Sequence, residues 1–67
     1  MKRIAIIGIG LLGSAVASRL LEGGFTVVGH DSRPEQLEPL APRGLVAASS
    51  ANHAAAGADA MFTIPPT

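Results

Sequence analysis

Three glycines and one acid are the residues of this chain whose types and spacing could do chemistry. Gly8, Gly10 and Gly13 form a Gly-x-Gly-x-x-Gly motif, GIGLLG, and Asp31 lies about 20 residues further along the chain. In this pattern, backbone amides at the start of a helix bind a diphosphate and a carboxylate accepts hydrogen bonds from a ribose. The spacing predicts a dinucleotide-binding turn, provided that the motif joins a strand to a helix.

Each glycine has a predicted task in such a turn. Gly8 permits the tight turn out of the strand, Gly10 lets the diphosphate approach the backbone, and Gly13 lets the helix pack closely on the sheet. The helix dipole and the free N–H groups of the first turn attract the anion without a cation. The residues of this turn predicted to contact the cofactor are Gly8, Ile9, Gly10, Leu11, Leu12 and Gly13.

The acid indicates which dinucleotide is favoured. Asp31 can accept both hydroxyls of an adenosine ribose and repels a 2′-phosphate, which favours NAD over NADP. Ser32 and Arg33 belong to the same predicted contact set, and Arg33 could reach a phosphate or stack on adenine. A flavin dinucleotide uses a similar motif and stays open as an alternative. A triphosphate-binding P-loop is disfavoured, because Ser14 occupies the position of its lysine.

The elements that must position these residues follow from the hydrophobic pattern. Residues 3–8 contain an unbroken apolar run, typical of a central parallel strand that is covered on both faces. Residues 11–22 have helical periodicity, which places Leu12, Val16 and Leu20 on one predicted stripe. Residues 25–30 form a second predicted strand, so the motif joins a strand to a helix as a dinucleotide turn requires.

The second half of the chain continues this alternation with weaker signals. Pro34 fits the first turn of a short helix reaching about residue 40, which Pro39 and Pro42 are predicted to end early. The predicted fold class is α/β, the β-α-β-α-β-α-β portion of a doubly wound, Rossmann-type parallel sheet. The later elements are a strand at residues 44–48, a helical turn to residue 56 capped by Ser50 or Asn52, and a strand at residues 60–64 closed by Pro65 and Pro66.

Composition limits the possible partners. The 67 residues carry five Lys and Arg against five Asp and Glu, so neither nucleic acid nor an anionic membrane is expected as a partner. The apolar run at residues 4–12 is too short to span a bilayer. The absence of cysteine suits a cytoplasmic location. A hydrophobic fraction of 48% predicts a folded chain with one small core.

Residues 4–37 and 43–67 together resemble the β-hydroxyacid dehydrogenases, a family that includes 3-hydroxyisobutyrate dehydrogenase, tartronate semialdehyde reductase and 6-phosphogluconate dehydrogenase. Two departures from the family pattern are Leu12, where methionine is usual, and Pro65, where leucine is usual. Beyond the glycine motif and Asp31, the positions that carry the likeness are Gly44, Ser49, Ala58 with Asp59, and Pro65 with Pro66.

This resemblance implies which part of the cofactor each predicted contact would bind. The backbone of residues 9–13 would hold the diphosphate, Asp31 the adenine ribose, and Ile64 and Pro65 would border the nicotinamide. His30 is predicted to be a partly exposed neighbour of adenosine, and His53 a surface residue of a helix. No metal site is expected in the chain.

The family's activity is oxidation of a β-hydroxy acid by hydride transfer to the nicotinamide, with a lysine on a later helix as the proton-transfer residue. Lys2, the one lysine, starts the first strand and would lie about 20 Å from the carboxyl ends of the strands. The resemblance therefore predicts that residues 1–67 are the N-terminal portion of a dinucleotide-binding domain, without catalytic residues. The rest of that domain and the substrate domain are expected outside this chain.

The complete protein is expected to be a homo-oligomer that binds a small hydroxy acid. Two alternatives remain open at this point. Prephenate dehydrogenases share a similar glycine turn and second strand, and a non-catalytic module could use the same turn to sense a dinucleotide.

Overall fold

The computed structural model of the protein describes residues 2–65, which form a single parallel sheet with helices packed on it. The elements are β1 (Arg3–Ile7), α1 (Gly10–Glu22), β2 (Thr26–His30), two 3₁₀ helices (Pro34–Gln36 and Glu38–Arg43), β3 (Val46–Ala47), α2 (Ala51–Ala55) and β4 (Ala60–Thr63). The strand order is β3-β2-β1-β4, and every neighbouring pair is parallel. The α/β class with a parallel sheet is thus confirmed.

Strand β1 lies inside the sheet, as its unbroken apolar run predicted. It pairs with β2 on one side, where Ile4 lies opposite Val27, and with β4 on the other side. Ile4, Ala5 and Ile6 are all buried, because helices cover both faces of the sheet at this point.

The two faces of the sheet have separate cores, since successive strand residues point to opposite sides. On one face a larger cluster lies under α1 and the 3₁₀ helices, and on the other a smaller cluster lies under α2. The buried members are Ile6, Ile9, Ala17, Val27, Leu37, Leu40 and Leu45 in the larger cluster, and Ala5, Val28 and Ala54 in the smaller one.

Gly29, in the buried part of β2, belongs to the packing of the larger cluster because it lacks a side chain. A Cβ atom there would lie 3.2 Å from Cδ1 of Leu45, 3.3 Å from Cδ2 of Leu37 and 3.4 Å from Cδ1 of Ile9. These three side chains therefore fill the space that a residue larger than glycine would need.

The buried face of α1 differs from the predicted one. Gly13 and Ala17 are its buried residues, and Val16 and Leu20 pack partly buried against the larger cluster. Leu12 is 62% exposed, so its place on the buried stripe was wrong. The physical reason is that Leu12 lies in the first turn, at the edge of a cavity and away from the core.

The predicted second helix is replaced by two 3₁₀ helices. Pro39 and Pro42 were expected to end it early, whereas both prolines lie within the second 3₁₀ helix, Glu38–Arg43. Proline fits the first turn of a helix because its missing N–H has no partner there, and short 3₁₀ segments do not need every i+3 bond. The segment buries Leu37 and Leu40 against the sheet, and i+3 hydrogen bonds such as that from the N–H of Leu40 to the carbonyl oxygen of Leu37, at 3.0 Å, accompany this packing.

The remaining predicted elements are present with shifted ends. The third strand is reduced to Val46–Ala47, and the helical turn to Ala51–Ala55. Ser50 is the N-cap, since its hydroxyl accepts a hydrogen bond of 3.0 Å from the N–H of His53, while Asn52 lies inside the helix. Pro66, predicted to close the last strand, lies outside the described residues.

Candidate functional site

A cavity of about 710 Å³ lies at the carboxyl edge of the sheet, where β1, β2 and β4 end. We call it the carboxyl-edge cavity. In an open parallel sheet this edge is where ligands bind, because loops and helix N-termini converge there. The cavity is lined by Ile7, Gly8, Ile9, Gly10, Leu11, Leu12, His30, Asp31, Ser32, Arg33, Thr63, Ile64 and Pro65.

The structure brings together nearly all the residues that the sequence predicted as cofactor contacts. Gly13 is the exception, because it is buried beneath the turn and does not line the cavity. Ile7 and Thr63 line it without having been among the predicted contacts, and His30, predicted to be a partly exposed neighbour of adenosine, lines it as well. A signal was available for them, since each is the last residue of a parallel strand whose carboxyl end faces the site.

Two of the three motif glycines are required by close packing. Gly8 has φ +84°, and a Cβ atom there would lie 2.5 Å from the carbonyl oxygen of Ile64. A Cβ on Gly13 would lie 2.8 Å from the carbonyl oxygen of Gly8, so only glycine lets α1 approach the end of β1 this closely. The predicted steric roles of Gly8 and Gly13 agree with these distances.

Gly10 is different, because a Cβ atom there would meet no protein atom within 4 Å. Its φ of +53° is a conformation that favours glycine, yet the space beside it is open to the cavity. A small residue at this position therefore keeps free the space next to the first turn of α1.

The N-terminus of α1 offers backbone donors to the cavity. Gly13 donates to the carbonyl oxygen of Ile9 at 2.6 Å and so makes the opening hydrogen bond of the helix. The N–H groups of Gly10, Leu11 and Leu12 precede this bond and have no carbonyl partner within the helix. Ile9, the N-cap, makes no side-chain capping bond, and residues 10–13 of the first turn include no acid, so the amides of this turn stay available to a ligand.

Asp31 joins the two turns that border the cavity. Its Oδ2 accepts a hydrogen bond of 2.7 Å from the N–H of Ile9, and its Oδ1 accepts one of 2.8 Å from the N–H of Arg33. These two bonds, the one from Ile9 first, hold the pKa of the Asp31 carboxyl below its ordinary value, while burial acts in the opposite direction. The carboxylate is consequently ionised at neutral pH.

The two histidines lie in different surroundings. Nδ1 of His30 lies 3.2 Å from the carbonyl oxygen of Ala48, so this nitrogen carries the proton that it donates. His30 is half-buried at the end of β2 and borders the carboxyl-edge cavity. His53 lies exposed on α2, with Nδ1 at 3.0 Å from Oγ of Ser49, and is not part of the cavity.

The rim of the cavity is strongly apolar on one side. Leu11 is 94% exposed and Leu12 is 62% exposed.

Within residues 2–65, no three His, Cys, Asp or Glu side chains are grouped so that they could hold a metal ion. None of the helices in this part of the chain has the length and hydropathy needed to cross a membrane.

Comparison with known families identifies the class of this fold and site. The model of the NAD binding domain of 6-phosphogluconate dehydrogenase matches residues 3–66. The chain belongs to this family of NAD-binding domains, and the NAD type of cofactor predicted from the sequence is confirmed.

Individual relatives agree with this assignment. An NAD-dependent L-serine dehydrogenase from Pseudomonas aeruginosa is 36% identical over 66 residues, which are 98% of this chain and 22% of the relative. The solved structure of 3-hydroxyisobutyrate dehydrogenase from Mycobacterium tuberculosis with L-serine has a TM-score of 0.91 at 33% identity, covering 98% of this chain and 23% of that one.

A variant of an imine reductase from Myxococcus stipitatus, solved in complex with NAD⁺, also has a TM-score of 0.91, at 26% identity over 97% of this chain and 23% of that one. The chain therefore spans about a fifth of the length of the relatives that it matches. The family and the curated relatives confirm the resemblance to β-hydroxyacid dehydrogenases and favour it over the prephenate dehydrogenase alternative.

Proposed function

We propose that this chain is the cofactor-binding portion of an NAD-dependent dehydrogenase that oxidises a β-hydroxy acid or reduces the matching semialdehyde. The observation that carries the proposal is the Asp31 carboxylate, which joins the glycine turn to the end of β2 beside the carboxyl-edge cavity. Similar proteins point to the substrate class, since L-serine and 3-hydroxyisobutyrate each carry a hydroxyl β to the carboxylate.

The first turn of α1 fits the diphosphate of a dinucleotide. The amides of Gly10, Leu11 and Leu12 supply donors without an intrahelical partner, and no side chain fills the space beside Gly10. These donors would bind the diphosphate by hydrogen bonds and by the positive end of the helix dipole. Gly8 and Gly13 support this turn by packing and need not touch the ligand.

Asp31 accounts for the preference for NAD over NADP. Each carboxylate oxygen keeps one further acceptor position after accepting its backbone N–H, so Asp31 can also accept the ribose hydroxyls. Its lowered pKa maintains a negative charge that would repel a 2′-phosphate at neutral pH. Ser32 and Arg33 are exposed beside it and would border the adenosine, where the Arg33 guanidinium could stack on the base.

The opposite side of the carboxyl-edge cavity would border the nicotinamide. Ile64 and Pro65 follow β4 there, and Leu11 and Leu12 add apolar surface on the rim. When bound, NAD supplies the hydride acceptor, and these residues would position its ring and exclude water. The described part of the chain thus contributes binding and orientation.

Proton transfer is assigned to another part of the complete protein. Lys2 lies exposed just before β1, at the amino edge of the sheet, whereas the cavity lies at the carboxyl edge. The resemblance to β-hydroxyacid dehydrogenases extends the proposal to a homo-oligomeric, cytoplasmic enzyme in which a substrate domain supplies the lysine.

Isothermal titration calorimetry of the purified protein with NAD and with NADP tests the proposal. We expect NAD to bind about tenfold or more tightly than NADP, and Asp31→Ser to reduce this ratio by removing the repelling charge. Glu38→Gln is the matched control, because it removes an exposed acid that does not line the cavity. Absence of NAD binding, or an NAD preference that survives in Asp31→Ser, would contradict the assignment.

A further inference from the structure

The hydrogen bond from Ile9 to Asp31 gives this acid a second task, separate from binding a ribose. We propose that Asp31 is a positioning residue that holds the glycine-rich turn, residues 8–13, in its diphosphate-binding conformation. This inference rests on the proposed function of the site. Its structural basis is the 2.7 Å bond between the N–H of Ile9 and Oδ2 of Asp31, which joins residues 22 positions apart.

Two consecutive amides attach the turn to the end of β2, and they do so differently. The N–H of Gly8 donates to the carbonyl oxygen of His30 at 2.8 Å, which continues the pairing of β1 with β2 by one residue. Any residue at position 30 would supply that carbonyl. The N–H of Ile9 instead depends on the side chain at position 31, so this second attachment is specified by the sequence.

Ile9 is the residue whose position controls the donors of the site. It is the N-cap of α1, with a side chain only 1% exposed in the larger core cluster, and the next three amides are the candidate diphosphate donors. Both neighbours, Gly8 and Gly10, are glycines at positive φ, a residue type with little resistance to backbone rotation. The bond to Asp31 fixes the N–H of Ile9 between these two flexible positions, and so fixes the direction of the donors that follow.

Replacing Asp31 should change the affinity for a diphosphate in opposite directions, depending on whether the acid positions the turn or acts only through its charge. A carboxylate beside a diphosphate repels it, so removing the charge alone would tighten binding of the diphosphate. Releasing the turn has the opposite result, because the amides of Gly10 and Leu11 must then be ordered when the ligand binds. Asp31→Ala is therefore expected to weaken a diphosphate ligand even when that ligand has no ribose hydroxyls.

The first experiment uses two probes, ADP and 2′,3′-dideoxy-ADP, with calorimetry on the purified protein. We expect Asp31→Ala to bind 2′,3′-dideoxy-ADP about tenfold more weakly than the wild type does, and to weaken ADP by a larger factor. Asp59→Ala is the matched control, because Asp59 also accepts a backbone N–H, that of Arg3 at 2.8 Å, but at the amino edge of the sheet. Its affinities for both probes should equal those of the wild type.

The result that overturns the inference is 2′,3′-dideoxy-ADP binding as tightly, or more tightly, to Asp31→Ala than to the wild type. Asp31→Asn provides a second variant of nearly the same shape, which keeps one carbonyl acceptor and loses the charge. It should bind the dideoxy probe more tightly than Asp31→Ala does, because its carbonyl can still accept the N–H of Ile9, whereas a purely electrostatic role would give these two uncharged variants equal affinities.

A measurement without ligand separates the inference from the proposed function. In protein labelled with ¹⁵N-isoleucine, the Ile9 amide should exchange with solvent about tenfold faster in Asp31→Ala than in the wild type, while Ile4 and Ile6 in β1 stay unchanged. Unaltered exchange at Ile9 overturns the inference. If the Ile9 amide exchanges faster in Asp31→Ala but the wild type binds neither ADP nor NAD, Asp31 holds the turn and the cofactor assignment is rejected.

Discussion

The two ends of β1 are held by the same kind of bond, a carboxylate accepting a backbone N–H, in very different surroundings. At the amino end, Asp59 accepts from Arg3 at 2.8 Å, and both residues are exposed. At the carboxyl end, Asp31 accepts from Ile9 at 2.7 Å beside a cavity of about 710 Å³. The difference teaches that the bond alone does not make a site, since at the carboxyl end it lies beside open space and beside helix amides without an intrahelical partner.

Two glycines extend this comparison. Gly8 at the carboxyl end and Gly57, in the turn before β4, both have positive φ, of +84° and +75°. A Cβ on Gly8 would lie 2.5 Å from the carbonyl oxygen of Ile64, whereas one on Gly57 would meet no atom within 4 Å. Both positions therefore favour glycine because of their backbone conformation, and at the carboxyl end close packing excludes a side chain as well.

The largest expected effect is that of Gly8→Ala. Its free energy of unfolding should fall by about 3 kcal/mol, since a left-handed conformation costs about 1 to 2 kcal/mol and the contact with Ile64 forces the backbone apart. Gly57→Ala, the matched control, should lose only about 1 kcal/mol from the conformation alone. Urea unfolding of both variants measures the difference, and equal losses would show that the carboxyl end is no more tightly packed than the amino end.

Gly10→Ala is expected to weaken NAD binding at the carboxyl end while changing the free energy of unfolding only slightly. Because a Cβ there meets no protein atom, unfolding should become easier by only about 1 kcal/mol. Affinity for NAD should fall about tenfold or more, since the methyl group occupies space beside the diphosphate donors. Denaturation and calorimetry on the same preparation provide the two values. Unchanged NAD affinity would place the diphosphate elsewhere in the cavity.

Acid should weaken the carboxyl end through Asp31. Because its pKa is lowered in the folded protein, chiefly by the hydrogen bond from Ile9, the ionised carboxyl favours folding above its ordinary, unfolded pKa. That contribution is lost as the pH falls through the folded pKa. The unfolding midpoint in urea, followed between about pH 6 and pH 2, should decline less in Asp31→Asn than in the wild type. Parallel curves would contradict this linkage.

The smallest effect is expected from an ion pair remote from the cavity. Arg43 contacts Glu22 at 3.3 Å and donates to Oγ of Ser18 at 2.8 Å, with side chains of Arg43 and Glu22 that are 47% and 60% exposed. Arg43→Ala should cost about 0.5 kcal/mol of stability, as is usual for exposed pairs, and leave NAD affinity unchanged. A weaker NAD affinity, measured by calorimetry, would extend the functional region to the outer side of α1.

The order of elements around the site could be predicted because its signals are local. The apolar run of β1, the three glycines and Asp31 follow one another within the first 31 residues, and each has a conformational or chemical requirement that the sequence displays. The ends of β1, α1, β2 and β4 were accordingly correct to within about one residue.

What could not be predicted depends on contacts between distant residues. Leu12 fits a helical stripe by spacing, but it is exposed because it lies in the first turn of α1, at the edge of the carboxyl-edge cavity. The 3₁₀ helices depend on burial of Leu37 and Leu40, which overrides the tendency of Pro39 and Pro42 to end a helix. The bond from Ile9 to Asp31 likewise appears only once β1 and β2 are paired.

Gly29 is a buried position outside the carboxyl-edge cavity whose packing involves a residue of the site. A methyl group at this position would lie tightly against side-chain ends of Leu45 and Leu37, and in contact with the side chain of Ile9, the residue that precedes the first turn of α1. A change of one carbon atom in the middle of β2 would thus be felt by Ile9 at the start of α1, although Gly29 does not line the carboxyl-edge cavity. Anyone seeking to retune cofactor affinity by directed evolution should include this buried position in the library, and not only the residues that line the cavity.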